Sequence, residues 1–161
     1  MMKIGLGEDL HRFAKGRKLI LGGIEIPSLD GLLGHSDADA LLHAISDALL
    51  GAIASEDIGA YFPPNDPACK DIDSKEILRF CLSKVEEKGY EVANVDCVIT
   101  TEAPKLRPYV SAMRESVASL LGIDVDCVGI QAKTNEGCDA IGEGKALRVS
   151  SVCLLKKKGE N

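Results

Sequence analysis

The sequence predicts a mixed α/β fold of the α+β class, a two-layer sandwich in which a mixed β-sheet carries helices on one face. Segments with strand and helix patterns interleave along the chain, and only three of the helical patterns are long enough to cover a sheet. The last strand pattern, residues 146–155, is apolar on both faces. Because helices on one face leave the other uncovered, we expect the chain to oligomerise through its sheet.

Strand patterns account for the start of the chain and for much of its second half. Residues 3–7 form a short strand that opens into a polar loop. Residues 18–27 match a hairpin-like pair of strands that turns at Gly22-Gly23, a turn signal typical of hairpins. Three further strands are predicted, at residues 90–101, 125–134 and 146–155.

Three helices are predicted from apolar positions at helical spacing and from their end signals. The first spans residues 38–54, with Ser36 as its N-cap and Asp39 as the acidic member of a capping box. The other two lie between residues 73 and 89 and between residues 104 and 122, and a glycine ends each of them. All three should bury an apolar stripe against the sheet.

Two loops separate these elements, a proline-rich one over residues 55–71 and a glycine-rich one over residues 137–144. A loop as long as the first is uncommon in a compact domain and is often functional. No internal repeat or linker divides the chain, so we expect residues 1–161 to form one domain.

Composition and charge exclude several classes of protein. The net charge of −6 argues against a nucleic-acid or anionic-membrane surface, although a small phosphorylated ligand remains compatible where metal or backbone amides offset its charge. The longest apolar run, residues 48–54, is too short to span a bilayer. Six cysteines are widely spread without a C-x-x-C pair, which favours reduced thiols. We therefore expect a cytoplasmic protein, or a plastid-stroma one if a transit peptide has been removed.

A metal site is predicted in the first 43 residues, which contain all three histidines. Asp9 and His11 are two residues apart, so in extended backbone they point to the same side. His43 lies on the first predicted helix and is the natural third ligand. Two imidazoles and one carboxylate that leave a position open are typical of catalytic zinc. The Asp-x-His spacing taken alone is equally compatible with chance.

Neighbours of these ligands allow two interpretations each. Asp39 and Asp47 lie four residues on either side of His43, so either carboxylate could orient its imidazole. Alternatively, Asp39 only caps the helix and Asp47 is solvated. His35 and Ser36 precede the helix, where free amides attract phosphate oxygens. The alternative for His35 is an ordinary loop histidine.

A second polar group follows the strand pattern that ends near residue 134. Lys133, Thr134, Asn135 and Glu136 combine a lysine, a hydroxyl, an amide and a carboxylate, which suits phosphate and divalent-metal binding. Polar strand ends are common, so this segment alone is weakly diagnostic. Residues 103–106 taken alone indicate only the entry to a helix.

Taken in order, the motifs are specific although each is weak alone. They are Gly5-x-Gly7-x-Asp9-x-His11, Leu33-x-His35-Ser36-Asp37-x-Asp39 through His43, Asp47-Ala48-Leu49-Leu50-Gly51, Asp57-Ile58-Gly59 with Phe62-Pro63, Ala103-Pro104-Lys105 and Lys133-Thr134-x-Glu136. Over residues 2 to about 155 this set resembles the 2-C-methyl-D-erythritol 2,4-cyclodiphosphate synthases of the non-mevalonate isoprenoid pathway.

The resemblance implies a homotrimer, assembled through the sheets, with active sites between adjacent subunits. The implied substrate is 4-diphosphocytidyl-2-C-methyl-D-erythritol 2-phosphate, whose 2-phosphate attacks the β-phosphorus and expels CMP. Such a reaction depends on metals and oriented donors rather than on a strong base or a side-chain nucleophile. The implied partners include no nucleic acid and no membrane.

The resemblance also implies residue roles. Asp9, His11 and His43 would hold Zn²⁺ or another divalent cation, and Glu136 would hold Mg²⁺ or Mn²⁺ with the substrate diphosphate. His35 and Thr134 are implied as catalytic groups that steady the phosphates. The implied substrate-binding residues are Ser36, Asp57, Ile58, Gly59, Phe62, Asp66, Thr101, Ala103, Lys105, Leu106, Lys133 and Asn135. Residues 101–107 would line the cytidine pocket of the neighbouring subunit.

Two loops depart from the family pattern. The usual Phe-Pro-Asp is Phe62-Pro63-Pro64 here, which removes a carboxylate near the polyol site, although Asp66 remains. The family arginine that can hold an isoprenoid diphosphate at the trimer axis is Glu143 here. The resemblance therefore does not extend to ligand binding in the axial cavity.

Three other functions share part of this pattern. A zinc-dependent phosphohydrolase of a nucleotide-linked substrate would use the same metal to activate water. A non-haem Fe(II) oxygenase also uses two histidines and one carboxylate, but such sites usually lie on all-β barrels. A trimeric ligand-binding module would keep the assembly without turnover.

Overall fold

A five-stranded mixed sheet forms one layer of the molecule, seen in a computed structural model that describes residues 1–159. Neighbouring strands are antiparallel except for the last two, which are parallel. From edge to edge the strands are Asp30–Leu32 (β4), Lys3–Lys15 (β1), Ala146–Lys157 (β7), Tyr90–Thr100 (β5) and Val128–Lys133 (β6). The predicted hairpin is formed by Leu19–Leu21 (β2) and Ile24–Ile26 (β3). Residues 160 and 161 of the predicted domain lie outside the described residues.

Three helices form the second layer, as predicted. They are Ala40–Ala52 (α1), Ser74–Glu87 (α3) and Val110–Leu121 (α4), and shorter helices lie at Ile58–Tyr61 (α2) and Asp139–Gly142 (α5). The opposite face of the sheet is uncovered: Ile4, Leu6 and Leu10 of β1 are 71%, 64% and 60% exposed. Within residues 1–159, the helices are too short or too polar to cross a membrane.

Strand β1 is much longer than predicted. It runs to Lys15 rather than ending at Gly7, so Asp9 and His11 lie on a strand and not in a loop. The positions of β1 that face α1 include Gly5, Gly7, Asp9 and His11, while the apolar side chains of Ile4, Leu6 and Leu10 point the other way. The usual strand pattern is therefore inverted in this part of β1, which is why the predicted strand ended too early, at Gly7.

Helix α1 begins later than predicted because the N-cap is Asp39 and not Ser36. The carboxylate of Asp39 accepts a hydrogen bond from the amide of Leu42 at 3.0 Å. The preceding residue, Ala38, has a left-handed backbone with φ of 57°, so the chain turns there before it becomes helical. The capping box predicted at Ser36 was therefore wrong by one turn.

The close approach of α1 to β1 depends on two glycines. A Cβ atom on Gly5 or Gly7 would overlap the backbone carbonyl oxygens of Ala48 and Ala44, respectively. Helix α1 is buried nearly all round, and side chains such as Leu41 are fully buried. Each such leucine contributes about 2 kcal/mol of hydrophobic stabilisation. This packing fixes the distance between the strand and the helix that carry the three predicted ligands.

The remaining predicted elements differ mainly at their ends. The proline-rich loop contains α2 and a 3₁₀ turn at Pro67–Cys69, and the glycine-rich loop contains α5. A 3₁₀ turn at Val125–Cys127 replaces the start of the strand predicted over 125–134. A further 3₁₀ turn, Arg107–Tyr109, delays the third long helix until Val110, and that helix ends at left-handed Gly122 as predicted.

Candidate active site

The structure brings together the three side chains predicted to bind metal. Oδ2 of Asp9 lies 2.8 Å from Nε2 of His11 and 3.1 Å from Nδ1 of His43. Within residues 1–159, these three side chains form the candidate metal-binding group, since each offers one ligand atom and the three atoms lie within 4.8 Å of one another. One carboxylate and two imidazoles at this spacing suit a divalent transition-metal cation.

The ring orientation of His11 is fixed from outside the cluster. Its Nδ1 lies 2.7 Å from the backbone carbonyl oxygen of Leu33. Because a carbonyl oxygen can only accept, Nδ1 carries the proton and Nε2 faces Asp9. Metal-binding histidines commonly use such a hydrogen bond to fix their tautomer.

The two histidines also control the charge of Asp9. Burial alone would raise the pKa of Asp9, but hydrogen bonds and charges from His11 and His43 outweigh it and lower the pKa to about 2. Burial opposes the charged form of His11, yet its hydrogen bond and attraction to Asp9 raise its pKa overall. The cluster therefore keeps an ionised carboxylate at neutral pH, as a cation site requires.

The two carboxylates flanking His43 on α1 have other partners. Asp39 accepts hydrogen bonds from the amides of Gly22, Gly23 and Leu42, so it caps α1 and holds the β2–β3 turn. Asp47 accepts a hydrogen bond from the amide of Ile58. The interpretation of Asp39 as a helix cap is confirmed. The alternative that either carboxylate orients the imidazole was wrong, because the hydrogen-bond partners of the His43 ring are Asp9, Ser36 and Ser74. Asp47 is hydrogen-bonded to the first residue of α2 rather than solvated.

Instead, Nε2 of His43 faces two hydroxyls. Oγ of Ser74, the first residue of α3, lies 2.8 Å away, and Oγ of Ser36 lies 3.2 Å away. Sequence reasoning missed Ser74, which is 31 residues from His43 and carries no motif of its own. Its position after the N-cap Asp73 was the one available signal.

A cavity of about 170 Å³ opens beside the cluster. Five other predicted site residues line it together with His11 and His43; these are His35, Ser36, Ile58, Gly59 and Phe62. Asp57 caps α2 next to Gly59 and is exposed. Asp66 lies on the same side, because Nε2 of His35 donates a hydrogen bond to its backbone oxygen at 3.3 Å. One end of the molecule thus gathers ten predicted residues.

The other predicted residues lie around the ends of β5 and β6. A groove of about 400 Å³ is lined by Thr101, Lys105, Leu106, Lys133 and Thr134. A larger groove of about 680 Å³ adjoins it and includes Glu136 with Arg107 and Arg114. Ala103, whose peptide bond to Pro104 is cis, faces a separate depression beside Leu29.

Glu102 organises this second group and was missed by sequence reasoning. Its carboxylate accepts hydrogen bonds from the amides of Asn135 at 2.7 Å and Gly137 at 3.5 Å. Between them, Glu136 has a left-handed backbone with φ of 51°, an uncommon conformation for a residue with a side chain. Its carboxylate is exposed and lies 3.4 Å from the hydroxyl of Thr134.

Within one chain the two groups lie at the same end of the sheet, but on strands that are far apart. Leu10 pairs with Arg148, Arg148 pairs with Thr100, and Thr100 pairs with Lys133. These are three strand spacings, or about 14 Å between the backbones of Leu10 and Lys133. A single chain therefore holds two separate sets of predicted residues. We call Asp9, His11 and His43 the metal group, and residues 101–106 and 133–136 the loop group.

Comparison with known proteins gives consistent results along the chain. A sequence model described as the YgbB family matches residues 2–156. The 2-C-methyl-D-erythritol 2,4-cyclodiphosphate synthase of Brachyspira hyodysenteriae is 53% identical over 156 residues, covering 97% of this chain and 99% of the relative. The synthase of that name from Chlorobaculum tepidum is 50% identical over 155 residues, covering 96% and 99%.

Solved structures show the same fold. A 2C-methyl-D-erythritol-2,4-cyclodiphosphate synthase in a CDP-bound form has a TM-score of 0.89 and 40% identity, covering 96% of this chain and all of that one. The Plasmodium falciparum IspF–CDP complex has a TM-score of 0.86 and 32% identity, covering 98% and 97%. A bifunctional IspDF from Campylobacter jejuni has a TM-score of 0.94 and 36% identity, and this chain spans 42% of it.

Proposed function

Because the chain belongs to the YgbB family, we propose that it catalyses the reaction for which its curated relatives are named, formation of 2-C-methyl-D-erythritol 2,4-cyclodiphosphate. The family resemblance predicted from the motifs is confirmed. The 2-phosphate of the substrate attacks the β-phosphorus, the bond from that phosphorus to the oxygen of CMP breaks, and CMP leaves. The enzyme is thus a phosphorus–oxygen lyase of isoprenoid biosynthesis.

The observation that carries this proposal is the convergence of Asp9, His11 and His43 beside a cavity lined by His35 and Ser36. These three ligands would hold a divalent cation, which we propose to be zinc because nitrogen and carboxylate donors with an open position suit it. A cation held there supplies Lewis-acid stabilisation of charge on the phosphate oxygens. Glu136, in the exposed loop group, would hold the Mg²⁺ or Mn²⁺ that accompanies the diphosphate.

The other residues bind and orient the two reacting phosphates. His35 and Ser36 are in the same cavity as the metal ligands, so they can donate hydrogen bonds to a phosphate there. Thr134 and Lys133 can do the same from the loop group. At the start of α2, the carboxylate of Asp57 would accept hydrogen bonds from the polyol hydroxyls. Gly59, which has no side chain, would leave room for them. Holding two anions in line supplies most of the rate enhancement, so no side-chain nucleophile is required.

We further propose that the cytidine is bound by the loop group of a neighbouring subunit in a homotrimer. Two observations support this arrangement: the uncovered sheet face exposes Ile4, Leu6 and Leu10, and about 14 Å separates the two groups within a chain. Apolar patches of this kind commonly mark protein interfaces.

The thiols of all six cysteines are free, which supports a reducing compartment such as the cytoplasm.

The test is to incubate the purified chain with 4-diphosphocytidyl-2-C-methyl-D-erythritol 2-phosphate, Zn²⁺ and Mg²⁺ and to follow the phosphorus nuclei by ³¹P NMR. We expect cyclic diphosphate and CMP in equal amounts. Release of linear phosphates would instead support a phosphohydrolase, and the absence of any turnover would support a binding module. A chelator-treated sample should be inactive until a divalent cation is restored.

A further inference from the structure

His43 uses its two ring nitrogens for different partners. Nδ1 faces Oδ2 of Asp9 in the metal cluster at 3.1 Å. Nε2 faces the hydroxyl of Ser74 at 2.8 Å, deep in the protein, where Ser74 is 0% exposed. A neutral imidazole carries one proton, so the partner of Nε2 decides whether Nδ1 has a lone pair for a cation.

The direction of the hydrogen bonds around Ser74 settles this question. The hydroxyl of Ser74 donates its single proton to Oδ1 of Asp37, because a carboxylate can only accept. The amide of Ser74 donates to Oδ2 of the same carboxylate at 3.1 Å. Oγ of Ser74 therefore presents a lone pair to His43, so Nε2 carries a proton. In the neutral imidazole, Nδ1 then has the lone pair that a cation in place of a proton would bind.

We propose that Ser74 and Asp37 are positioning residues of the metal site, which act through His43 by fixing its tautomer and ring orientation. This inference rests on the proposed function, since it concerns the cation that His43 would hold. Carboxylates that orient a metal-binding histidine are well known, and here a serine hydroxyl connects the carboxylate to the ring.

The hydrogen bonds that link His43, Ser74 and Asp37 are held at both ends by the backbone. His43 is part of helix α1, and Asp37 is bonded to backbone amides. Oδ1 of Asp37 also accepts from the amide of Asp39 at 3.1 Å, next to the start of α1. The segments on either side are paired, since the amide of Asp37 donates to the oxygen of Ile72 and the amide of Asp71 donates to the oxygen of His35. The start of α3 is thereby linked to the turn that carries His35.

Ser36 cannot replace Ser74 fully. Its hydroxyl oxygen lies farther from Nε2 of His43, at 3.2 Å, and it already accepts from the amide of Ala38 at 3.1 Å. Loss of Ser74 should therefore weaken the site without abolishing it. Loss of Asp37 should also weaken the site. The hydroxyl of Ser74 could then donate to Nε2 of His43, which favours the tautomer with its proton on Nδ1, where a cation would bind.

The experiment measures Zn²⁺ affinity by competition with a chromophoric chelator and records the visible absorption spectrum of the Co²⁺ form. We expect Ser74→Ala and Asp37→Ala each to weaken Zn²⁺ binding by about 10- to 100-fold and to alter the Co²⁺ spectrum. The double variant should lose no more than the larger single loss, because the two residues act in series. Ser151→Ala, at an equally buried serine in β7, is the matched control and should leave both readouts unchanged.

Unchanged affinity in Ser74→Ala, or single losses that add in the double variant, would overturn the positioning role. The proposed function would stand in either case, because the wild-type chain would still bind Zn²⁺ through its three ligands. Failure of the wild-type chain to bind Zn²⁺ would overturn the metal site and the positioning role together. Unfolding curves for every variant separate loss of the site from loss of the fold. If Ser74→Ala unfolds, Asp37→Ala decides alone, since Asp37 is only partly buried.

Discussion

The metal group and the loop group are built in opposite ways. Asp9, His11 and His43 project from a 13-residue strand and a 13-residue helix that pack backbone against backbone. Lys133 is the last residue of β6, and Thr134 and Glu136 lie in the exposed segment that follows it, which the carboxylate of Glu102 holds. A long strand and a long helix set the geometry of the first group, whereas the second lies on an exposed loop surface.

This contrast indicates that metal binding and turnover can be separated by mutation. The candidate metal ligands are brought together by contacts that one chain makes with itself. In the proposed trimer, turnover also requires the loop group of one subunit to meet the metal group of another. Variants in the two regions should therefore fail in different assays.

The largest effect is expected from Asp9→Ala. Removing the one carboxylate of the cluster deprives a cation of its anionic ligand and of several kcal/mol of transition-state stabilisation. We expect Zn²⁺ binding to be lost and turnover to fall by about a thousand-fold, which corresponds to about 4 kcal/mol. Glu87→Ala, at an exposed carboxylate near the end of α3, is the control. Full activity in Asp9→Ala would refute the metal assignment.

A smaller loss with a different signature is expected from Leu6→Asp. This substitution puts a charge on the uncovered sheet face, where desolvation in an interface costs several kcal/mol. We expect dissociation to monomers and a fall in turnover of about a hundred-fold, with Zn²⁺ affinity retained. Ser83→Asp adds the same charge on α3 and should stay assembled. Light scattering after gel filtration, read beside the Zn²⁺ titration, checks both, and an active monomer would contradict a shared site.

Subunit mixing tests the shared site directly. Asp9→Ala and Glu136→Ala should each be impaired, since each removes one half of every site. In trimers formed by unfolding and refolding the two variants together at equal amounts, about a quarter of the interfaces should unite two intact halves. We therefore expect activity to rise to about a quarter of the wild-type value. A mixture no more active than its components would show that both groups serve the same site within one chain.

The last effect concerns the pH dependence of stability rather than turnover, and it belongs to a fully buried carboxylate next to the metal group. Complete burial outweighs three backbone hydrogen bonds and raises the pKa of Asp39, at the start of α1, to about 6 from 3.8. The neutral form is favoured in the folded state, so this contribution to stability is fully present below about pH 3.8 and is lost as the pH rises through about 6. The loss amounts to about 3 kcal/mol.

Urea unfolding of the wild-type chain and of Asp39→Asn between pH 4 and 8 measures this contribution. The difference in unfolding free energy between the two proteins should shift by about that amount across the range. Asp9 does not interfere, because its pKa is lowered to about 2 and its stabilisation is lost only as the pH falls through that value. A constant difference would mean that Asp39 is charged throughout.

Sequence patterns predicted the helices better than the strand that matters most. Helices α1 and α3 have apolar residues at helical spacing, so their existence was clear even though Ala38 shifted the start of α1. Strand β1 was underestimated because its helix-facing positions are glycine, aspartate and histidine rather than apolar residues. A functional strand that packs through glycines lacks the pattern from which strands are recognised.

The convergence of the candidate ligands Asp9, His11 and His43 could be predicted because histidine is rare in this chain, which has three. The residues that support the ligands could not. Ser74 and Glu102 contact His43 and Asn135, which are 31 and 33 residues away in sequence. A serine or a glutamate has no distinctive pattern, and only the fold brings these pairs together.

The two glycines of β1 have a consequence for how such an enzyme can change. Where Gly5 and Gly7 meet the carbonyl oxygens of α1, main chain packs directly against main chain, and this contact sets the distance between the strand and the helix that carry the candidate ligands. Side chains elsewhere in the interior can therefore be exchanged for others of similar volume without moving Asp9 relative to His43. Directed evolution of this scaffold could accordingly remodel its core extensively while leaving the chemistry intact, provided that those two positions are held fixed.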